Sequence, residues 1–312
     1  MTDNSPKVSK SIFVTGGSGF VGSAIIDRLL ADGYTIRALV NKRPIDRDGV
    51  TSIRGDLFND DALDAGLAGC DAAIHLVGII RETPSRGQTF ERLHHEGAVR
   101  VINAAKRNNV RRFILMSALG VRPDSPSEYA ATKAKAEAHL VSSGLDYTIM
   151  RPSVIHGPGG EFMTMLSDWS AGRALPYLFM PYFGTGLFGQ HSKQLQPIHV
   201  DDCAAAFVAA LVRPTTIGQT IDLAGPDRLT WPGLYRIVTT LLRGRAKASI
   251  GIPTWYAKLL TRIVPASLLP FNRSQVVMAG EDNTADVSAT ADLIGTMPKG
   301  FEEAFKTYAE RL

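Results

Sequence analysis

Short apolar runs alternate with longer stretches of helical periodicity through the first half of the chain. Brief apolar runs bounded by turn residues are typical of buried strands, whereas apolar positions that recur every third or fourth residue indicate amphipathic helices. The pattern predicts strands at Ser11–Thr15, Tyr34–Val40, Val50–Arg54, Asp71–Val77, Arg112–Met116 and Asp146–Arg151, with helices at Gly22–Ala31, Asp60–Leu67, Phe90–Arg107 and Ser127–Ser142.

This alternation predicts a doubly wound α/β domain, in which helices cover both faces of a parallel sheet. We assign residues 1–156 to this domain. From about Gly157 the chain is richer in proline, glycine and aromatic residues, and residues 157–312 are expected to form a smaller C-terminal lobe. Elements around 195–225 would return to the first domain. The lobe would close over the carboxyl edge of the sheet, where such folds bind ligands.

The composition is that of a folded globular protein, since 45% of the 312 residues are hydrophobic and 21% are charged. These proportions exclude a disordered chain, a collagen-like repeat and a coiled coil. The net charge of +4 is too small to indicate a nucleic-acid partner. No nucleic-acid partner is therefore expected.

The two cysteines, Cys70 and Cys203, are far apart and lack a metal-binding spacing, so neither a disulfide nor a metal site is predicted. A reducing compartment fits this usage. The N-terminus is polar without a signal-peptide pattern, and we expect a cytoplasmic protein. The segment Ala174–Ser192 has the length of a membrane span, but its prolines and glycines predict a loop.

A glycine-rich turn follows the first predicted strand and opens the first predicted helix. Its glycines are Gly16, Gly19 and Gly22 in the segment TGGSGFVG. In this context the first glycine permits the tight turn, the second lets a pyrophosphate approach the backbone, and the third lets helix and strand pack closely. The helix N-terminus supplies free N–H groups to the phosphates. The turn predicts dinucleotide binding by Gly16, Ser18, Gly19, Phe20, Val21 and Gly22.

The end of the second strand bears on which dinucleotide binds. An acidic residue about 20 positions after the glycine turn normally holds the ribose hydroxyls of NAD(H). Here Lys42 and Arg43 follow the strand, and the first acidic residue is Asp46. The two cations are suited to a 2′-phosphate, which favours NADP(H) over NAD(H). The alternative is that both are solvated loop charges.

Three side chains suggest proton-transfer chemistry. Tyr129 and Lys133 are four residues apart on a predicted helix and therefore share a face. Ser117 follows the fifth strand directly. We expect Lys133 to lower the pKa of Tyr129, Ser117 to polarise a carbonyl or hydroxyl, and Tyr129 to move the proton.

These motifs resemble those of the short-chain dehydrogenase/reductase superfamily, in its extended and atypical branches. The matching segments are TGGSGFVG, GDL at 55–57, HLVG at 75–78, MSALG, YAATK and RPSVIHGP, and the similarity covers nearly the whole chain. The resemblance implies a Rossmann sheet and hydride transfer. It implies that Asp56 and Leu57 contact adenine, that Leu76, Val77 and Gly78 border the ribose, that Lys133 binds the nicotinamide ribose, and that Pro152, Ser153 and Val154 line the nicotinamide.

Within that superfamily the chain resembles the Rossmann-type accessory subunit of respiratory complex I. The segments HLVGIIRE and GEDNTADVSATADLIGTMPKGFEEAF carry this likeness, as does His94, where epimerases usually have asparagine. His94 is included among the expected nucleotide-binding residues. The likeness implies a structural or regulatory nucleotide-binding protein as an alternative to an oxidoreductase. A NAD-dependent nucleotide-sugar epimerase or dehydratase is a second alternative.

The C-terminal half of the chain gives expectations about the substrate and the binding partners. The segment RPSVIHGP lacks the asparagine that sugar-nucleotide enzymes commonly carry there, so we expect a small apolar carbonyl or quinone-like substrate. Residues 228–280 contain eight basic residues and no acidic one. An apolar helix with cations beside it would contact the inner face of a membrane or a protein complex, unless it simply faces the core. The superfamily implies a dimer, and atypical members are often monomers.

Overall fold

The computed structural model describes residues 10–264, 269 and 271–312. Its strands are Ser11–Thr15 (β1), Thr35–Val40 (β2), Val50–Arg54 (β3), Ala72–His75 (β4), Arg112–Met116 (β5), Asp146–Pro152 (β6), Ile155–His156 (β7), Met180–Thr185 (β8), His191–Ser192 (β9), Gln194–Leu195 (β10), Ile198–His199 (β11), Gln219–Leu223 (β12), Leu229–Thr230 (β13) and Ser249–Pro253 (β14).

The α-helices within the described ranges are Phe20–Ala31 (α1), Asp60–Leu67 (α2), Gly97–Arg107 (α3), Glu128–Val141 (α4), Glu161–Ala171 (α5), Val200–Val212 (α6), Trp231–Arg243 (α7), Thr254–Ile263 (α8), Arg273–Ala279 (α9), Val287–Ile294 (α10) and Phe301–Lys306 (α11). None of them is long and apolar enough to cross a membrane.

Seven strands form the central sheet in the order β12-β6-β5-β4-β1-β2-β3, and every neighbouring pair is parallel. The predicted doubly wound α/β class is confirmed. The chain order reverses between β1 and β4, and their carboxyl ends therefore frame the crevice in which open α/β sheets bind ligands. The seventh strand, β12, comes from the second half of the chain and pairs with β6 along its length.

Helices cover both faces of this sheet because side chains alternate along each strand. Ile12 and Val14 of β1 point into the core with α1, α6 and α10. Phe13, between them, points into the core with α2, α3 and α4. Near-continuous apolar strands are what a sheet buried on both sides requires.

A second core lies outside the sheet, where α5, α7 and α11 pack around apolar residues such as Leu166, Leu234 and Phe305. Strand β14 pairs parallel with β8, and β9 folds back antiparallel on β8. The prediction of a loop over Ala174–Ser192 is therefore wrong for part of the segment, because β8 and β9 lie within it. Pairing with the distant β14 stabilises strand structure that the local glycines and prolines do not predict.

The helix predicted over Phe90–Arg107 is divided. A wider π-helical turn spans Glu91–Glu96 before α3 begins at Gly97. A Cβ on Gly97 would lie 2.6 Å from the Leu57 side chain, so glycine allows α3 to approach the loop after β3. Such turns are common at functional sites.

Candidate functional site

The turn between β1 and α1 has the backbone geometry that a pyrophosphate cradle needs. Gly16 has φ +77°, a left-handed conformation that favours glycine. A Cβ on Gly22 would lie 2.2 Å from the carbonyl oxygen of Gly16, so no larger residue fits without moving the turn. Gly19 is the N-cap of α1, and no side chain caps that helix end. Its exposed N–H groups remain available to phosphate oxygens.

The turn lies against the loop that follows β4. A Cβ on Gly16 would come within 3.1 Å of the Leu76 carbonyl carbon and of the Val77 nitrogen. Beneath this contact, the Thr15 hydroxyl and His75 Nδ1 are 2.6 Å apart, joining the ends of the two strands. The structure therefore brings two of the predicted nucleotide-binding segments together at the crevice.

The predicted adenine end lies at the exposed ends of β2 and β3. Lys42 and Arg43 are both exposed. Asp56 is also exposed and accepts a hydrogen bond from the Phe58 backbone at 2.8 Å, whereas Leu57 is buried against Gly97. These residues lie at the sheet edge where a bound adenosine is expected.

Ser117 lies directly after β5 and is 3% exposed. Its backbone N–H donates to the Met150 carbonyl at 2.7 Å. Its hydroxyl has no hydrogen-bond partner among the described residues. A buried hydroxyl without a partner is uncommon in folded proteins, and it is a feature that a bound ligand can satisfy.

The segment 152–154 is held next to this loop by contacts from three directions. The Leu119 N–H donates to the Pro152 carbonyl at 2.9 Å, and the Ser153 N–H donates to the carbonyl of Leu223 in β12 at 2.8 Å. The Val154 N–H donates to the side chain of Asn283 at 3.2 Å. The predicted nicotinamide-lining residues thus form one wall beside Ser117.

Helix α4 brings Tyr129 and Lys133 to the same place. The Lys133 ammonium donates to the carbonyl of Met116, the residue before Ser117, at 3.2 Å. Tyr129 and Ala118, the residue after Ser117, pack against the same buried cluster of Val121, Ala130 and Ala134. The three predicted proton-transfer residues therefore converge on the carboxyl end of β5.

His94 forms the other wall around Tyr129. The two rings meet edge to face with centroids 5.0 Å apart, and Phe90 stacks on His94 at 5.2 Å. His94 Nε2 lies 3.0 Å from the backbone nitrogen of Ile79, and its Nδ1 lies 3.2 Å from the Thr132 hydroxyl. These contacts occupy both ring nitrogens, and the His94 ring packs against the Tyr129 ring.

Gly78 completes the floor of the site. A Cβ on Gly78 would lie 3.6 Å from Lys133 Nζ and 3.7 Å from His94 Nε2. The exposed backbone at Gly78 is therefore the point at which the loop after β4 meets the side chains from α4 and the π-helical turn.

Burial sets the protonation states in the site. It lowers the pKa of Lys133 from 10.5 to about 8, with Glu137 opposing the shift. Burial, together with a smaller effect of the Lys133 charge, lowers the pKa values of His75 and His94 to about 3. Outside the site, burial also lowers the pKa of His156 to about 3. These three buried histidines are neutral at physiological pH.

The expectation that Lys133 lowers the pKa of Tyr129 is not met. Burial raises the pKa of Tyr129 to about 12. The Lys133 ammonium lies over the Tyr129 ring, 5.5 Å from its centroid, and donates to Met116 instead. Tyr129 is therefore a protonated phenol at physiological pH, available as a proton donor and not as a base.

Two residues at the start of α9, its N-cap Asn272 and Ser274, contact this region and were not identified in the sequence analysis. The Asn272 side chain donates to the Ile80 carbonyl at 3.2 Å, and the Tyr129 N–H donates to the Ser274 hydroxyl at 3.5 Å. Both residues are more than 140 positions from Tyr129 or Ile80. No local spacing signals such a contact.

Comparison with known proteins identifies the family to which the chain belongs. A family model described as NAD(P)H-binding matches residues 16–166. Ceramide reductase from Caulobacter vibrioides is 31% identical over 230 residues, which is 72% of this chain and 68% of that protein. The chain belongs to the NAD(P)H-binding short-chain dehydrogenase/reductase family. The family resemblance seen in the sequence is confirmed.

Other family members differ in their described roles. NADH dehydrogenase (ubiquinone) 1 alpha subcomplex subunit 9 of Arabidopsis thaliana is 30% identical over 241 residues, covering 74% of this chain and 57% of that subunit. The solved structure of MoeE5 in complex with UDP-glucose and NAD superposes with a TM-score of 0.72 at 19% identity, covering 96% of this chain and 97% of that one. At that identity the likeness shows the shared fold alone.

Proposed function

We propose that this protein is an NADPH-dependent reductase of a small apolar carbonyl or quinone-like compound, with Tyr129 as proton donor. The protonated phenol beside Lys133 and the unpartnered Ser117 hydroxyl is the observation that carries the proposal. The phenol oxygen has no hydrogen bond to any described residue, and its proton is free for a substrate oxygen.

Each residue has a distinct part in such a reduction. A bound reduced nicotinamide supplies the hydride. The Ser117 hydroxyl would hydrogen-bond the substrate oxygen, and the Tyr129 phenol would protonate that oxygen as negative charge develops on it. Lys133 uses one N–H on Met116, which leaves two N–H groups for ribose hydroxyls. Its positive charge would also stabilise the developing oxyanion.

Tyr129→Phe tests the chemistry, because it removes only the phenol oxygen. We expect turnover with NADPH to fall by a factor of roughly 10²–10⁴, and the nucleotide dissociation constant to change less than about twofold. Tyr34→Phe makes the same chemical change on the loop before β2 and should leave both quantities unchanged. A Tyr129→Phe enzyme that reduces the substrate at the wild-type rate would overturn the assignment.

The preference for NADP(H) is supported by the exposed Lys42 and Arg43 at the end of β2. Two cations within reach of a 2′-phosphate would bind it through charge-assisted hydrogen bonds. Replacing both by alanine should weaken NADPH binding roughly tenfold or more and leave NADH binding nearly unchanged. Equal losses for the two nucleotides would show that these residues do not read the 2′ position.

The similarity to the Arabidopsis subunit favours a second candidate, a nucleotide-binding protein that serves a larger assembly without turnover. Stopped-flow measurement of NADPH and NADH release separates the two. Release within seconds permits exchange at each turnover and supports the reductase. Release over many minutes, together with a phenotype for Gly19→Glu but none for Tyr129→Phe, supports the second candidate. Slow release confined to NADH would favour an epimerase.

A further inference from the structure

Helix α8 presents apolar side chains to solvent. Trp255, Leu259 and Ile263 recur every fourth residue and are 53%, 45% and 67% exposed. The opposite side of the helix contains the fully buried Ala257 and packs on α9 and β8. A helix on the surface of a globular protein usually faces its apolar stripe inward. In α8 a second apolar stripe faces outward.

The tip of the β8–β9 hairpin continues this stripe. Leu187 and Phe188 are 65% and 76% exposed. The Trp255 indole N–H donates to the Leu187 carbonyl at 3.2 Å, which joins the helix to the hairpin. We call these five residues, Leu187, Phe188, Trp255, Leu259 and Ile263, the α8 surface. Clustered exposed apolar side chains are typical of an interaction site.

Close backbone packing fixes the hairpin tip in place. A Cβ on Gly184 would lie 2.0 Å from the Gly189 carbonyl oxygen, and a Cβ on Gly251 would lie 2.1 Å from the same atom. Gly189 itself has φ +70°. Only glycines allow β8, the tip and β14 to approach this closely. The exposed apolar side chains are therefore displayed by a preformed structure.

The charges beside the α8 surface are positive. Lys258 and Arg262 are exposed on the same helix. Glu281 forms an ion pair with Arg122 at 2.6 Å, and Asp282 forms one with Lys193 at 3.2 Å, so the neighbouring acidic groups are engaged. Between positions 228 and 280 the sequence has eight basic residues and no acidic one. Apolar side chains beside exposed cations match an anionic lipid surface, which offers both a hydrocarbon boundary and negative headgroups.

The α8 surface is one helix away from the candidate active site. α8 packs on α9, Ser274 of α9 contacts the backbone of Tyr129, and its N-cap Asn272 contacts the backbone of Ile80. We propose that the α8 surface docks this protein on an anionic membrane leaflet, from which an amphiphilic substrate reaches the site. The delivery of substrate rests on the proposed reductase function, whereas the docking does not.

Vesicle sedimentation tests the docking with the full chain. We expect the wild-type protein to bind vesicles of equimolar phosphatidylcholine and phosphatidylglycerol and to bind phosphatidylcholine alone much more weakly. Leu259→Glu should reduce binding roughly tenfold or more. Val141→Glu is the matched control, because Val141 is 51% exposed at the far end of α4 and should bind as the wild type does.

The cations have their own test. Replacing Lys258 and Arg262 by glutamate should weaken binding to anionic vesicles by at least about fivefold per residue. Added salt should weaken vesicle binding by the wild-type protein to a similar degree. Lys10→Glu is the control, because Lys10 is exposed just before β1, at the amino ends of the strands, and its replacement should have little effect. Tyr129→Phe should bind vesicles normally, which separates docking from catalysis.

Two outcomes would overturn the proposal. One is the absence of binding to anionic vesicles by the wild type. The other is vesicle binding that Leu259→Glu and the charge reversals leave unchanged. If the wild type fails to bind vesicles but forms a dimer in sedimentation equilibrium that Leu259→Glu dissociates, the α8 surface is a self-association interface instead.

Discussion

The substitution Lys133→Met tests how much the burial of the charged Lys133 side chain destabilises the folded protein. The side chain is 5% exposed, and its ammonium donates one hydrogen bond, to Met116, at 3.2 Å. Burial lowers its pKa from 10.5 to about 8. Methionine has a similar length and no charge, and it can occupy the same space without the desolvation penalty.

The two contributions have opposite signs. A pKa lowered by about 2.5 units corresponds to about 3 kcal/mol of destabilisation of the charged form. The Met116 carbonyl would lose its donor, at about 1 kcal/mol. We therefore expect Lys133→Met to raise the free energy of unfolding by about 2 kcal/mol at neutral pH. The same substitution should weaken NADPH binding, because the proposed ribose contacts of Lys133 would be lost.

The pH dependence gives the prediction its specificity. Between the folded pKa of about 8 and the unfolded value of 10.5, the unfolded chain binds more protons than the folded chain. The stability of the wild type therefore rises with pH through this window relative to the variant. Near pH 7 the free energy of unfolding of the variant should exceed that of the wild type by about 2 kcal/mol. Near pH 11 the penalty on the charged form has disappeared, and the variant should be less stable than the wild type by about 1 kcal/mol.

Urea unfolding of both proteins at several pH values measures these differences. Lys135→Met is the matched control on the same helix, because Lys135 is 54% exposed and forms a surface ion pair with Glu91 at 2.9 Å. Its effect should stay within about 0.5 kcal/mol at every pH. A Lys133→Met variant that is less stable than the wild type at neutral pH, or a gap that does not change with pH, would refute the reasoning.

Two further predictions concern the glycine turn and the buried histidines. Gly22→Ala should abolish measurable dinucleotide binding and lower the free energy of unfolding by about 1–3 kcal/mol, because its Cβ meets the Gly16 carbonyl oxygen at 2.2 Å. Gly233→Ala is the control at the same third position of α7; its Cβ meets only the Thr230 side chain, and normal nucleotide titration and urea midpoints are expected. The three buried histidines, with folded pKa values of about 3, should each cost about 1.4 kcal/mol of stability at about pH 5.5, since the unfolded chain takes up protons that the folded chain does not. Urea unfolding at neutral pH and near pH 5.5 measures this loss, and equal stabilities would contradict the assignment of these imidazoles as neutral.

Much of the dinucleotide-binding half is determined by the sequence alone. The alternation of apolar runs and helical periods predicts β1 to β6 and the helices between them, because strand and helix preference is set by neighbouring residues. The turn from Gly16 to Gly22 is equally local, since a left-handed residue and a helix N-terminus are properties of a few consecutive positions. The spacing of Tyr129 and Lys133 places them on one face of α4 for the same reason.

Tertiary structure alone decides the chemical state of those residues. Lys133 and Tyr129 acquire shifted pKa values because distant segments bury them, and the contacts of Asn272 and Ser274 from α9 join positions far apart in the chain. Strand β8 forms within a segment rich in glycine and proline because β14 pairs with it. The direction in which α8 faces depends likewise on what packs against it. The burial of a side chain, its hydrogen-bond partners and the pairing of a strand depend on which distant segments pack together, and local sequence patterns do not contain that information.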